Sequence, residues 1–169
     1  MQFQRPGFLA SIDQVLVSSG LTPALLELEL TEGVLMDSAE QAIQALRDLR
    51  ALGVQIALDD FGTGFSSLSY LKWLPIDRIK IDRSFVRDVT TDRFDAAIID
   101  GVVAMAGKMG LEVLVEGVET AEQLGYLQQR HCDYFQGYYF AHPMPLSVLL
   151  EFLHNPPTVR ASHTQPPHK

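Results

Sequence analysis

Short runs of β-forming residues alternate with amphipathic helical segments along most of the chain, and this alternation constrains the fold more than any other feature. Five runs have the length and apolar character of buried strands, and segments with helical periodicity separate them. The runs are 25–32, 54–58, 78–82, 112–116 and 133–136. Strands that alternate with helices pair in parallel, because each helix returns the chain to the same end of the sheet. The sequence therefore predicts an α/β fold of parallel βαβ units.

End signals and periodicity define the helices between these strands. The predicted helices cover residues 6–19, 38 to about 53 and 67–74, then 92 to about 109, 120 to about 130, and 146–153. Capping boxes open the helices at Ser38 and Thr120. The buried stripe of the longest helix is expected to be Ile98, Val102, Met105 and Met109. Pro, His, Ser and Thr dominate after His154, so we expect a domain over 1–154 and a disordered tail over 155–169.

Composition excludes several classes of protein. The 169 residues are 47% hydrophobic and 20% charged, which is typical of one soluble domain with a core of its own. The net charge of −8 and the lack of a basic stripe argue against binding to duplex nucleic acid. No run approaches the roughly 18 apolar residues of a membrane span, and the single cysteine, Cys132, is typical of a reducing compartment. We therefore expect a cytoplasmic protein without a membrane segment.

Polar side chains stand near the end of every predicted strand. Two adjacent carboxylates, Asp59 and Asp60, follow the strand 54–58 and precede a Gly-x-Gly loop. The corresponding residues of the other strands are Glu29 and Glu32, Lys80 and Asp82, Glu116 and Glu119, and Gln136. One carboxylate pair would be explained by a solvated strand end, and Lys80 by a structural ion pair with Asp82 or a neighbouring strand. Because the carboxyl ends of parallel strands meet at one edge, the whole set instead predicts an anionic cleft that holds metal.

Several of these segments resemble the EAL domain, the Glu-Ala-Leu family of cyclic di-GMP phosphodiesterases. The matching segments are Glu29-Leu30-Thr31-Glu32, the run from Asp59 to Leu68, Lys80-Ile81-Asp82, Glu116-Gly117-Val118-Glu119 and Gln136-Gly137-Tyr138. Their order and spacing are specific, and the resemblance extends over about residues 2–153. It implies a (β/α) TIM-type barrel that hydrolyses cyclic di-GMP to linear pGpG with two Mg²⁺ or Mn²⁺ ions. Asp60-Phe61-Gly62 also occurs in protein kinases, but no Gly-rich phosphate loop or His-Arg-Asp segment precedes it here.

The resemblance also implies roles for the matching residues. Glu29, Asp59 and Asp60 would be metal ligands, with Asp59 between the two ions. Lys80 would hold the attacking water, and Glu116 would act as general base or as a ligand of the second ion. This assignment agrees with the chemistry, since a two-metal clamp offsets the charge of a phosphodiester and activates water in line.

Further residues would contact the substrate or support the site. Gln136 would contact the substrate, while Asp82 and Glu119 would support the site. Glu32 would anchor a loop that couples the site to dimerisation in the family. That loop consists of Phe61, Gly62, Thr63, Gly64, Phe65, Ser66 and Ser67.

The sequence departs from the family pattern at its start. No Glu-Ala-Leu triplet occurs. Gln2-Phe3 matches a family segment that follows this triplet, so the glutamate of the triplet would lie before residue 1. The resemblance places an asparagine metal ligand and a substrate-binding arginine before residue 1 as well. Five strands do not close a (β/α)₈ barrel, and an open sheet leaves two strand edges that favour pairing with another chain. We therefore expect an N-terminally truncated EAL domain whose phosphodiesterase activity, alone, is weak or absent.

Two functional hypotheses remain open from the sequence. In the first, the chain is part of a bacterial cytoplasmic phosphodiesterase specific for cyclic di-GMP, forms a homodimer and has an N-terminal sensory or diguanylate-cyclase-like domain in the full-length protein. In the second, it is a non-catalytic regulatory or interaction module that dimerises and binds cyclic di-GMP weakly.

Overall fold

A parallel sheet lies at the centre of the computed structural model, which describes residues 7–31, 39–64 and 71–155. Its strands are β1 (Glu27–Thr31), β2 (Gln55–Phe61), β3 (Arg78–Ile81), β4 (Glu112–Val115) and β5 (Tyr134–Phe135). They pair in chain order, and every pairing is parallel. The prediction of parallel βαβ units is confirmed. Within these residues the sheet is open, with β1 and β5 at its two ends.

Helices connect the strands largely where the sequence predicts them. They are α1 (Phe8–Ser19), α2 (Ala39–Ala51), α3 (Arg83–Arg87), α4 (Arg93–Met109), α5 (Ala121–Gln128) and α6 (Leu146–His154). The side chain of Asp92 caps α4, and the predicted capping box of Thr120 with Gln123 opens α5. The short helix α3 lacked a sequence signal because five residues are too few to show periodicity. Among the described residues, no helix is long and apolar enough to cross a membrane.

Three boundaries or faces differ from the sequence prediction. β1 begins at Glu27 because Pro23–Leu25 forms a 3-10 turn, and β2 continues to Phe61. On α4 the buried residues are Ile99, Val102 and Ala106, whereas Ile98 and Met109 are each 39% exposed. The prediction is confirmed at Val102, and Met105 packs partly buried against the core. It was wrong at Ile98 and Met109 because it favoured large side chains over helical phase, and Ile99 and the small Ala106 occupy the buried face instead. Ser38, the first half of the predicted helix 67–74 and the predicted tail beyond Asn155 lie outside the described residues.

The two faces of the sheet differ in character. The strand register places residues of opposite polarity on opposite faces, since alternate side chains point to opposite sides. One face is apolar and packs with the helices into the core; it includes Leu30, Ile56, Leu58, Ile79, Ile81, Val113 and Val115. The other face carries mainly ionisable and polar side chains; it includes Glu27, Glu29, Asp59, Arg78, Lys80 and Glu112. Of the functional residues predicted from the strands, Glu29, Asp59 and Lys80 therefore share the second face.

Arg78 ties the strands together at the amino end of this polar face. Its guanidinium lies 2.6 Å from Glu27 Oε2 on β1 and 2.7 Å from Glu112 Oε2 on β4. The same group stacks 4.2 Å from the centroid of the Tyr134 ring on β5. One residue of β3 thus contacts three other strands, a role that the sequence pattern did not indicate.

Gly137 permits a close backbone approach next to β5. A Cβ atom at this position would lie 2.1 Å from Val118 O and 2.4 Å from Val118 N. The Val118 N–H donates to Gln136 O at 3.0 Å, and the Tyr139 N–H donates to Val118 O at 3.0 Å. These bonds fix the segment that follows β4, so the glycine matters for the position of Glu116.

We expect Gly137→Ala to destabilise the chain by about 1–3 kcal/mol or more, because the methyl group forces the two backbone segments apart. The matched control is Gly107→Ala on α4, where a Cβ would meet no atom within 4 Å. That change should stabilise the chain by about 0.5–1 kcal/mol through the helix propensity of alanine. Urea unfolding of both variants measures the difference, and equal stabilities would contradict the close approach.

Cys132 provides a test of how tightly this end of the core is packed. The thiol is buried, and burial, with a smaller effect of the Asp133 charge, raises its pKa to about 11 from an ordinary value of 9.0. At pH 8 we expect a thiol reagent to react about 100-fold more slowly with the folded chain than with the urea-unfolded chain. The folded chain binds the thiol proton more tightly than the unfolded chain does. The contribution of this proton to the free energy of unfolding is therefore complete below pH 9 and is lost as the pH rises towards 11. Equal reaction rates in the two states would show that the thiol is accessible.

Candidate metal centre and active site

Polar residues of neighbouring strands converge towards the carboxyl edge of the sheet. Glu29 lies on β1, Asp59 on β2 and Lys80 on β3, while Glu116 follows the last residue of β4. Parallel pairing with matched register brings these positions close together, because the chain enters every strand from the same end. The sequence thus correctly predicts that these residues are neighbours.

A buried lysine lies at the centre of this group. Lys80 is 4% exposed and stands between two fully buried isoleucines on β3. Its Nζ atom lies 2.6 Å from Glu29 Oε1, 2.9 Å from Asp59 Oδ1 and 2.8 Å from Glu116 Oε1. The ammonium group therefore connects three other strands or strand ends. Lys80 therefore forms ion pairs with neighbouring strands, which was one of the two roles open from the sequence. The same ion pairs place it in contact with Asp59 and Glu116, two of the three carboxylates that could hold a metal ion.

The charge of Lys80 follows from these contacts. Burial alone would lower the pKa of its ammonium group, but the close contacts with the carboxylates of Glu116, Glu29 and Asp59 outweigh burial and raise that pKa above its ordinary value. A lysine with a raised pKa stays protonated at neutral pH. The group is therefore a fixed cation within an acidic cluster.

The backbone of β2 is irregular at the two aspartates. In a regular strand Asp59 and Asp60 would face opposite sides of the sheet. Here the register of β2 against β3 shifts between Leu58 and Phe61, and Asp60 has a φ of 54°, in the left-handed region. This bulge turns the second carboxylate towards the first. The expectation that both aspartates lie beyond the strand end was wrong, because the bulge lets them serve one site from inside the strand.

Three carboxylates form a group of the right kind for a divalent cation. Oxygen atoms of Asp59, Asp60 and Glu116 lie within 4.8 Å of one another in the described part of the chain. Such oxygens are the preferred ligands of Mg²⁺ and of similar hard cations. Asp59 Oδ1 is buried and accepts no well-aligned hydrogen bond, so its contact with Lys80 is an ion pair only. A buried anionic oxygen without a hydrogen bond costs free energy, and a divalent cation would offset that cost more fully than the lysine alone. The residues therefore fit a divalent metal ion.

The pKa of Asp60 shows that its charged form is destabilised by burial and by the neighbouring carboxylates. Burial raises the pKa of its carboxyl group above the ordinary value, and the charges of Asp59, Asp82 and Glu29 raise it further, while Lys80 opposes them. Lys80 makes direct contact with the other two carboxylates of the group but influences Asp60 only at longer range. Asp60 is thus the carboxylate of the group that the lysine neutralises least.

Asp82, predicted to support the site, caps a helix. Its Oδ1 atom accepts a hydrogen bond from the Ser84 N–H at 2.9 Å and so begins α3. Burial would raise the pKa of this carboxyl group, but the hydrogen bonds from Ser84 and Arg83 outweigh burial and lower it. The residue positions the segment after Lys80 and adds negative charge near Asp60.

Glu119 and Gln136 lie at the same edge with exposed side chains. The backbone N–H of Glu119 donates to Gln123 Oε1 at 2.8 Å, and the backbone of Gln136 pairs with Val115 and Val118. Gln123 is itself buried, and its Nε2 donates to the Arg87 carbonyl at 3.1 Å. The capping box identifies Gln123 in the sequence, but its link to Arg87 requires the fold.

The loop after β2 is described only as far as Gly64. The Thr63 N–H and Oγ1 both donate to Asp60 O, at 3.2 and 2.8 Å, which holds the first turn of the loop against the bulge. Gly62 has a φ of 92° and its Cα faces the Phe85 ring, so a side chain there would be strained and crowded. Phe61 is buried, whereas Gly64 is exposed. The remaining predicted residues of this set, Glu32, Phe65, Ser66 and Ser67, lie outside the described residues.

Comparisons with known proteins agree with this geometry. The sequence profile of the EAL domain matches residues 1–143. The cyclic di-GMP phosphodiesterase NbdA of Pseudomonas aeruginosa is 46% identical over 149 residues, which cover 88% of this chain and 19% of NbdA. The solved structure of the MucR phosphodiesterase with c-di-GMP, from the same organism, has a TM-score of 0.83 at 41% identity. The match covers 88% of this chain and 60% of that one.

A third similar protein has been solved with a bound metal ion. BlrP1 of Klebsiella pneumoniae, solved in complex with manganese and c-di-GMP, has a TM-score of 0.78 at 34% identity, over 84% of this chain and 36% of BlrP1. These likenesses confirm the predicted fold class. The chain spans about a fifth of the length of NbdA and about three fifths of the MucR chain.

We expect Asp60→Asn to stabilise the metal-free chain by a few degrees in melting temperature and to abolish its stabilisation by Mn²⁺. The change removes a carboxylate that two or more neighbours repel, while asparagine tolerates the left-handed backbone of this position. Thermal unfolding in EDTA and in Mn²⁺ measures both effects. Asp13→Asn, an exposed position on α1, is the matched control and should change neither. A lower melting temperature for Asp60→Asn in EDTA would contradict the account of Asp60.

Proposed function

The chain belongs to the EAL domain family, and from that membership we propose that its acidic cluster binds divalent metal and hydrolyses cyclic di-GMP to linear pGpG. The observation that carries the proposal is the group of Asp59, Asp60 and Glu116 within 4.8 Å, beside a buried Lys80. NbdA is named a cyclic di-GMP phosphodiesterase, and the MucR and BlrP1 structures contain c-di-GMP. The named ligand of these relatives is thus the substrate proposed here.

The metal is proposed to be Mg²⁺ or Mn²⁺, with two ions in the complete site. Asp59, Asp60 and Glu116 would hold metal through their carboxylate oxygens, whereas Glu29, predicted as a further ligand, lies outside this group of three and pairs with Lys80. Bound ions supply charge compensation for the phosphodiester and lower the pKa of a water nucleophile. The manganese complex of BlrP1 supports this choice of ligand class.

The protein groups have distinct tasks in this scheme. Lys80, a buried cation with three rotatable N–H donors, orients the attacking water or a phosphate oxygen. Glu116 accepts a proton from that water when it does not serve as a ligand. Gln136 offers an exposed amide to the nucleotide from the end of β5. Asp82 and Glu119 keep the segments after β3 and β4 in place.

The rate of the chain on its own is proposed to be low. Its sequence lacks the Glu-Ala-Leu triplet, and Asp59, Asp60 and Glu116 would leave most positions of an octahedral Mg²⁺ shell to water. The chain further forms a homodimer in this proposal, through the loop that starts at Phe61. In the longer protein it follows a sensory or diguanylate-cyclase-like domain, as part of cytoplasmic signalling in bacteria.

The alternative function is a non-catalytic module that dimerises and binds cyclic di-GMP weakly. It is favoured by the contacts of the Lys80 ammonium with Asp59 and Glu116, which are two of the three carboxylates that would hold metal. Calorimetry separates the two hypotheses: binding without turnover favours the module, and no binding with or without Mn²⁺ contradicts both.

We expect slow hydrolysis of cyclic di-GMP that EDTA abolishes and Mn²⁺ restores, measured as pGpG by chromatography. Glu116→Gln should reduce the rate about 100-fold or more, since it removes a base or metal ligand. The matched control is Glu112→Gln at the opposite end of β4, where the side chain pairs with Arg78 instead. Equal loss of rate in both variants, or turnover that resists EDTA, would contradict the assigned site. Rates typical of a complete enzyme would contradict the expectation of weak activity.

A further inference from the structure

Lys80 and the metal group share two of their carboxylates. Asp59 and Glu116 each contact the Lys80 ammonium and also belong to the group that fits a divalent cation. Asp60 belongs to the metal group without a direct ion pair to Lys80, while Glu29 pairs with Lys80 at 2.6 Å and lies outside the group of three. The lysine and a metal ion therefore depend on the same two side chains.

Without any cation this cluster would repel itself. Three carboxylates, those of Glu29, Asp59 and Glu116, contact one lysine that is almost completely buried, and a fourth, that of Asp60, lies beside Asp59 and Glu116. Like charges at such distances raise the free energy of the folded state, and partial burial weakens the screening by water. The ammonium group is the positive charge that lies among them in the described part of the chain.

We propose that Lys80 is a built-in counter-ion that keeps the cluster folded before metal binds and that lowers its metal affinity by competing for Asp59 and Glu116. Glu29 retains the ammonium when a metal ion engages the other two carboxylates, so that the lysine stays in the site. This function is distinct from orienting the nucleophile, because it acts in the absence of substrate. It rests on the metal binding in the proposed function but not on hydrolysis.

Lys80→Met in the full 169-residue chain tests the proposal with readouts that do not require activity. In EDTA we expect a lower melting temperature than wild type, because the carboxylates lose their cation. In a Mn²⁺ titration followed by the electron paramagnetic resonance of free Mn²⁺, we expect binding about tenfold tighter, since the competing charge is gone. Mn²⁺ should therefore raise the melting temperature of the variant more than that of wild type.

Lys72→Met is the matched control. Lys72 is exposed and lies over the Trp73 ring, so this change removes the same charge without touching the cluster. We expect wild-type Mn²⁺ affinity and a wild-type response to EDTA. If Lys80→Met binds Mn²⁺ no more tightly than wild type, or does not fold even with Mn²⁺, the counter-ion proposal is overturned.

Glu29→Gln separates retention of the lysine from direct metal ligation. In the wild-type background we expect weaker Mn²⁺ binding, because the ammonium then relies on Asp59 and Glu116 alone. In the Lys80→Met background the same change should have no further effect on affinity, a coupling that a double-mutant cycle measures. A full additional loss in that background would assign Glu29 to the metal and overturn its role in retaining Lys80.

The outcome for hydrolysis is independent of these results. A chain that binds Mn²⁺ as described but does not cleave cyclic di-GMP would refute the proposed function and leave the counter-ion proposal intact. A chain that fails to bind Mn²⁺ with either residue at position 80 would overturn the competition with metal.

Discussion

The contact of the Lys80 ammonium with carboxylates from three neighbouring segments is the interaction on which the polar edge of this sheet depends. A lysine that is 4% exposed must be paired, and here its partners are Glu29, Asp59 and Glu116. Removing one partner of such a buried cluster leaves charge uncompensated, which is why the cluster acts as a unit. A metal ion that binds Asp59 and Glu116 would therefore share these carboxylates with the Lys80 ammonium.

The same strand supplies a second cation at its other end. Arg78 and Lys80 are two residues apart and therefore share a face of β3. Arg78 pairs with Glu27 and Glu112 in the same way as Lys80 pairs with Glu29 and Glu116. Each of the two cations of β3 therefore contacts one carboxylate from β1 and one from β4 or the residue that follows it. The pairs at the level of Arg78 are structural, whereas at the level of Lys80 β2 adds two further carboxylates, Asp59 from its regular face and Asp60 from the bulge. The bulge is thus the local change that adds a metal-binding group to a repeated ion-pair pattern.

Much of this arrangement was predictable from the sequence. Strand and helix alternation gave the parallel sheet, and polar strand ends gave the edge at which Asp59, Lys80 and Glu116 meet. The bulge at Asp60 was not predictable, because a positive φ at an aspartate depends on the neighbouring strand and the loop that holds it. Arg78, the link from Gln123 to Arg87 and the approach of Gly137 to Val118 depend on contacts between residues far apart in the chain. The phase of α4 was missed because Ala106 carries too little hydrophobic signal to compete with its larger neighbours.

We propose that Asp59, Asp60 and Glu116 form a divalent metal site beside Lys80. A crystal structure of the chain grown with Mn²⁺, with anomalous data collected above the manganese edge, tests it most directly. We expect an anomalous peak within ligand distance of those three carboxylates, with Lys80 Nζ still in contact with Glu29. A peak elsewhere, or no peak at this cluster with Mn²⁺ in excess, would contradict the account.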